Sequence, residues 1–311
     1  MLKSSCMEIK VVFMGSPEFA NPTLAALAQH YPVVGVITQP DRPSGRGKQL
    51  TPPPVKVLAE SLGLPVIQPQ RMREPEAQAQ LQAWAPDLIV VAAFGQILRA
   101  NVLDLPRLGC INVHASLLPR WRGASPIHAA ILHGDPQSGV SIMRMDPGID
   151  TGPVLAQRAV EILSTDTAES LSDKLAGCGA DLLIETLPGY LAGDIVPQPQ
   201  NEELATYAAL IKKEDGALDF QRASAELERT VRAYFPWPGT YTLWQGQMFK
   251  ILRAHTAPGQ AGQPGQHGVV GGQPAIAAAD GWLVLDEVQP AGKKPMPGDL
   301  FLRGARNWTN S

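Results

Sequence analysis

Ile9-Lys-Val-Val-Phe-Met14, a helical segment over 19–29 and Val33-Val-Gly-Val-Ile-Thr38 open the chain. Both apolar runs are continuous and rich in β-branched residues, as in strands covered on both faces. A helix between two such strands makes a parallel crossover. The alternation continues through a helix over 55–62, Val66-Ile-Gln68, a helix over 74–84, and Leu88-Ile-Val-Val-Ala92. Cys110-Ile-Asn-Val-His114, a helix over 126–133 and a strand over 139–145 extend it, and Thr167 caps a further helix. The pattern predicts an α/β domain over 9–193 built on a parallel sheet.

The first strand-to-helix turn, Gly15-Ser-Pro-Glu18, resembles the opening of a nucleotide-binding fold but lacks G-x-G-x-x-G. Pro17 stands where a second glycine lets the backbone approach a pyrophosphate, and no P-loop is present. Dinucleotide and ATP binding are excluded on these grounds. Asp194-Ile-Val-Pro-Gln-Pro-Gln-Asn201 is polar and proline-rich, and 194–210 reads as a linker. Over 211–311 the texture changes to one helix near 224–233 and short strands at 240–244, 247–252, 268–270, 275–278 and 282–285. Gln-Gly at 245–246 signals a hairpin, and the whole predicts a small antiparallel β-barrel.

Hydrophobic residues make up 44% of the 311 and charged residues 18%, the balance of an ordinary globular protein. Cys6, Cys110 and Cys178 lack ligand-like spacing and are odd in number, so they read as reduced thiols of a cytoplasmic protein. No run approaches the roughly 20 apolar residues of a membrane span. Residues 1–8 read as an extension without signal-peptide character, Met7 being an equally sensible start. Net charge is −5 up to Leu210 and +2 from Ile211 onward. That imbalance permits a polyanionic partner for the second part without requiring one.

Asn112 and His114 alternate with apolar residues on one strand, so they share a face roughly 6.6–6.8 Å apart. An amide can donate to a developing oxyanion and an imidazole can move a proton, although a polar pair facing solvent fits the same spacing. Met145-Asp-Pro-Gly-Ile-Asp-Thr-Gly-Pro153 places Asp150 in a glycine-flanked loop, where it either serves a turn or orients His114. Trp121, between Arg120 and Arg122, reads equally as a stacking surface or a loop anchor. No His or Cys pair has zinc-ligand spacing, so no metal is expected.

Asn112-x-His114, Ser116-Leu-Leu-Pro119 and Asp150 within Asp-x-Gly-x-Asp-Thr-Gly together resemble the 10-formyltetrahydrofolate-dependent formyltransferases. Two further features resemble the branch that acts on methionyl-tRNA. They are Thr38-Gln-Pro-Asp-Arg-Pro-Ser-Gly-Arg-Gly-Lys48 running into Pro52-Pro-Pro-Val-Lys56, and a C-terminal part holding Phe235-Pro-Trp-Pro238 and Gln289-Pro-Ala-Gly-Lys-Lys294.

The resemblance implies a Rossmann-like formyltransferase domain followed by an OB-like barrel that binds tRNA. It also implies formyl transfer to the α-amine of initiator methionyl-tRNA, with Asn112, His114 and Asp150 catalytic. The folate co-substrate is expected beside Ser116, Leu117, Leu118 and Pro119, and beside Phe94, Gly95, Gln96 and Ile97. Arg42, Arg46, Lys48, Lys293 and Lys294 are the expected tRNA contacts, and a monomer is expected. A formyltransferase acting on an amino-sugar nucleotide is the rival enzyme reading, and a folate- or RNA-binding protein without catalysis the rival of another class. The loop over 39–51 buries almost nothing and is expected to be mobile without tRNA.

Overall fold

The computed structural model describes residues 9–44, 49–259 and 262–310. The expected extension over 1–8 lies outside them, as do Arg46 and Lys48. Two compact units emerge. The first takes residues up to Ala124 with Ser138–Glu161 and Ser172–Ala208, and the second takes Ser125–Gln137, Ile162–Leu171 and Ala209–Ser311. This division differs from the contiguous one read from the sequence: 194–208 group with the first unit, while 125–137 and 162–171 group with the second.

In chain order the elements are β1 Val11–Gly15, α1 Asn21–His30, β2 Val33–Ile37, β3 Arg42–Ser44, β4 Gln49–Thr51, α2 Pro54–Ser61 and β5 Val66–Ile67. Next come α3 Pro75–Trp84, β6 Leu88–Ala92, α4 Ala100–Leu103, β7 Cys110–His114, β8 Arg122–Gly123 and α5 Pro126–Leu132. β9 Gln137–Arg144, β10 Val154–Glu161, α6 Ala168–Ala192 and β11 Tyr207–Ala208 follow. Pro sits in the first turn of α1, α2, α3 and α5, where its missing N–H costs nothing. Thr167 Oγ1 accepts from the Ser170 N–H at 3.2 Å, the expected cap of α6.

The first unit holds a seven-stranded sheet in the order β10-β9-β7-β6-β1-β2-β5. From β7 to β5 every pairing is parallel, and β1, β6 and β7 are buried along their whole length. β9 runs antiparallel to β7, a correction to the parallel pattern expected through 139–145. A parallel return needs a crossover lying on the sheet; α5, inside the β7–β9 connection, belongs to the second unit instead. β10, unread in the sequence, is an edge strand of half-buried and exposed residues with no run of apolar side chains to announce it.

The loop after β2 carries a short ladder where it is described. β3 and β4 pair antiparallel, Arg42 opposite Thr51, because a backbone ladder can form without an apolar core. At its base Lys56 Nζ and Gln68 Nε2 both bond the Asp41 carboxylate, at 2.9–3.0 and 2.7 Å. Those hydrogen bonds, Gln68 first, hold Asp41 below its ordinary pKa.

The second unit continues with α7 Ser224–Ala233, β12 Thr240–Trp244, β13 Gln247–Ala257, β14 His267–Val270, β15 Gln273–Ala277, β16 Trp282–Pro290, β17 Met296–Pro297 and α8 Gly298–Gly304. The strands pair antiparallel in the order β12-β13-β16-β15-β14, with β17 on β16. Gln245 and Gly246 both have positive φ, 53° and 72°, the hairpin turn their sequence signals. Leu227 and Val231 of α7 join Phe249, Ile251, Ile276, Leu283, Leu285, Phe301 and Trp308 in one core. Among the described residues no helix is long and apolar enough to cross a membrane.

His267 stacks on Trp308 in that core, ring centroids 4.0 Å apart and planes within 7°. Burial pushes its pKa below the ordinary 6.5, against a smaller opposing pull from the Trp308 backbone. The unfolded chain therefore takes the proton first, and stability is lost as pH falls below about 6.5. His267→Phe is expected to flatten the decline in urea stability between about pH 7 and pH 5. An unchanged slope would contradict this.

Candidate active site

β7 ends in the sheet at the level where β6 hands over to the loop at 93–97, since Val91 pairs with Asn112 in parallel register. Open α/β sheets bind ligands at this carboxyl edge. Asn112 and His114 lie on one face of β7, 9% and 6% exposed, so they are buried polar groups that need partners. Those partners come from the loops after β7 and β9. Asn112 Nδ2 lies 3.4 Å from Asp150 Oδ1, His114 Nδ1 lies 3.7 Å from Asp150 Oδ2, and the Gly123 N–H donates to Asp150 Oδ2 at 2.8 Å. Asn112, His114 and Asp150 thus form one constellation, although 38 residues separate its two ends.

His114 Nε2 lies 3.1 Å from the Trp121 carbonyl oxygen. A carbonyl only accepts, so Nε2 carries the hydrogen and Nδ1 of the neutral ring offers its lone pair on the side of Asp150. A proton arriving at Nδ1 would meet the carboxylate. Asp150 itself has φ +53°, in the left-handed region. Two residues on, a Cβ at Gly152 would collide with the Arg144 carbonyl oxygen, so the chain can turn there only with glycine.

The turn after β7 is held from within. Ser116 Oγ donates to the Arg120 carbonyl at 2.6 Å, the Leu118 N–H donates to Ser141 Oγ at 3.0 Å, and Gln157 Nε2 donates to the Leu118 carbonyl at 2.8 Å. Ser116 and Leu118 are therefore buried supports, 1% and 5% exposed, while Leu117 and Pro119 are half-buried. In the second expected folate segment Phe94 is buried and its carbonyl accepts from Gln39 Nε2 at 3.0 Å. Gln96 spends its amide on Met72 N (2.9 Å) and Pro69 O (3.4 Å). Gly95, at φ +74°, leaves no room for a Cβ beside Gln39, and Ile97 is 80% exposed. Gly95, Gln96, Ile97, Leu117 and Pro119 are thus the members of the expected set that keep open surface.

Trp121 is buried at 7% exposure with the Arg120 guanidinium 4.3 Å above its ring, which makes it a loop anchor and removes its face from stacking with a base. Arg42 on β3 is exposed, as are Lys293 and Lys294 after β16. Burial pushes the Cys110 thiol up to about 12, consistent with an inert core residue. Among the described residues no group of three or more His, Cys, Asp or Glu side chains is arranged to hold a metal.

The sequence reading missed what the segment at 198–208 does. Thr206 Oγ1 accepts from the Trp121 N–H at 2.9 Å, β11 pairs with β8 in parallel, and Gln200 bonds the Asp150 loop. Its proline-rich start signals a linker, and the need for a partner at Arg122 shows only once that side chain is seen to be buried.

The family described as formyl transferase matches residues 7–187, and its C-terminal domain matches 210–306. The methionyl-tRNA formyltransferases of Geotalea daltonii and Myxococcus xanthus are each 49% identical, over 95% of this chain and 95% of theirs. The chain belongs to the methionyl-tRNA formyltransferase family. The enzyme of that name from Chloroflexus aggregans is 48% identical over 95% of this chain and 97% of its own. Sugar formyltransferases are more distant. An N-formyltransferase from Helicobacter canadensis, solved with folinic acid and dTDP-3-aminofucose, has 19% identity and a TM-score of 0.66 over 91% of this chain and 99% of that one. HypX from Aquifex aeolicus, solved with tetrahydrofolic acid, has 16% identity and a TM-score of 0.63, covering 97% of this chain and 47% of that one. These two share the fold with the methionyl-tRNA formyltransferase family.

Proposed function

We propose that the protein transfers the formyl group of 10-formyltetrahydrofolate to the α-amino group of initiator methionyl-tRNA, working as a cytoplasmic monomer. The observation that carries this reading is the meeting of Asn112, His114 and Asp150 at the carboxyl end of β7. The amine nitrogen attacks the formyl carbon, a C–N bond forms, and the carbonyl oxygen gains negative charge. Asn112 Nδ2 has two hydrogens and spends one on Asp150, which leaves the other for that oxygen. The Nε2–H of His114 is engaged by Trp121, so Nδ1, once protonated, is the ring nitrogen that can also donate to that oxygen. His114 Nδ1 and Asp150 are the groups set to take the amine's proton. The bond to N10 then breaks, N10 takes a proton, and tetrahydrofolate leaves.

The folate surface in this reading is formed by Gly95, Gln96, Ile97, Leu117 and Pro119 around that centre, with Phe94, Ser116 and Leu118 holding their backbones in place. Arg42, Arg46, Lys48, Lys293 and Lys294 take the phosphates of the tRNA. Formyl transfer from the folate to charged initiator tRNA, compared with charged elongator tRNA and with an amino-sugar nucleotide, tests the reading. Preference for the sugar nucleotide, or no transfer at all, would overturn it.

The loop makes a separate expectation. Arg42→Leu should impair use of methionyl-tRNA far more than folate binding, and flatten the log–log salt dependence of tRNA binding by up to about one unit. An unchanged slope with unchanged KM for tRNA would remove Arg42 from the interface.

A further inference from the structure

Resting on that reading of the site, we propose that Gln200 is a positioning residue that sets Asp150 against His114, held in its working orientation by Arg122 and Glu202. Gln200 Nε2 donates one hydrogen to the Asp150 carbonyl oxygen at 2.8 Å and the other to the Gly152 carbonyl oxygen at 2.7 Å. Its Oε1 accepts from Arg122 Nε at 3.0 Å. Arg122 is entirely buried, and its two terminal nitrogens grip Glu202 in a fork, at 2.8 and 2.7 Å. Arginine has only donors, so the Gln200 amide must turn its oxygen toward Arg122 and its nitrogen toward the two carbonyls. The Glu202 carboxyl is held below its ordinary pKa, chiefly by these bonds.

The next residue along the chain closes a ring, since the Gly123 N–H donates to Asp150 Oδ2. Arg122 and Gly123 therefore hold the backbone of Asp150 through Gln200 and its carboxylate directly. That restraint has work to do because Asp150 is a non-glycine residue at φ +53°, a conformation that persists where its surroundings over-determine it. Released, the residue can relax and carry Oδ2 away from Nδ1, now 3.7 Å off. Misplacing a reacting group by about 1 Å costs on the order of 100-fold in rate.

Gln200→Glu is the discriminating variant, because it keeps an acceptor for Arg122 and removes both donors to the carbonyls. In the full-length protein, kcat for formyl transfer should fall about 100-fold, with KM for folate and for methionyl-tRNA within about twofold of wild type. In an Asp150→Asn background the same change should cost less than about threefold, since the group it positions is already disabled. If Gln200→Glu fails to fold, Glu202→Gln carries the same test from an exposed position, with a smaller loss in kcat of the same kind. A normal kcat, a loss confined to KM, or an equal loss in both backgrounds would overturn the inference while an active wild type leaves the functional reading standing. A wild-type protein without formyl transfer would overturn both.

Discussion

Asn112→Ala is expected to lower the rate of formyl transfer about 100- to 1000-fold, the usual loss when one preorganised oxyanion donor is removed. Two neighbouring donors are already committed, the Gly123 N–H to Asp150 and the Nε2–H of His114 to the Trp121 carbonyl. Asp150→Asn should cost as much by a different route, because it leaves the protonated imidazole without its counter-charge. His114→Ala removes the ring that receives the proton. Asn112 and His114 are buried on β7 and Asp150 partners Asn112 and Gly123 from the loop after β9, so each replacement also orphans a partner, and the unfolding midpoint measures that loss apart from catalysis. Single-turnover transfer alongside equilibrium binding of folate separates the effects. Near-normal turnover in Asn112→Ala would end the oxyanion role assigned to it.

Trp308→Ala is expected to destabilise the second unit by about 3–5 kcal/mol, in the range for removing a buried tryptophan from a packed core. Trp308 is 1% exposed, stacks on His267, meets Phe301 edge-on at 5.4 Å and donates from Nε1 to the Gly268 carbonyl at 2.8 Å. Alanine would leave a cavity where four aromatic rings converge and would remove the donor to the Gly268 carbonyl. Trp308→Phe keeps most of the ring area and should lose markedly less. Urea unfolding followed by a probe within the second unit measures both, and equal losses for the two variants would show that packing is not the dominant contribution.

Helices and strands of the first unit were legible because their signals are local. The continuous apolar runs of β1 and β6 read as strands buried on both faces, and the prolines that open α1, α2 and α3 mark their first turns. The hairpin at Gln245-Gly246 was legible for the same reason, since a turn's chemistry is complete within two residues. β10 escaped because an edge strand needs little apolar surface, and the direction of β9 escaped because orientation depends on where α5 packs. The candidate set was half legible. Asn112 and His114 share a face by strand periodicity, whereas the glycine-flanked loop of Asp150 left a turn role and a role beside His114 both open until the family resemblance was added.

By itself the sequence determined that this protein has an α/β part followed by a small antiparallel part, that it belongs among folate-dependent formyltransferases, and which two side chains stand together on β7. Periodicity, turn residues and motif spacing are short-range properties, and they survive in a linear string. The tertiary structure alone decided which nitrogen of His114 faces Asp150, that Trp121 anchors a loop with its ring buried, and that Gln200 in an apparent linker returns to the Asp150 backbone. Those outcomes rest on hydrogen bonds between groups up to 85 residues apart, as in the Trp121–Thr206 pair. A buried donor or acceptor must find its partner wherever the chain brings one.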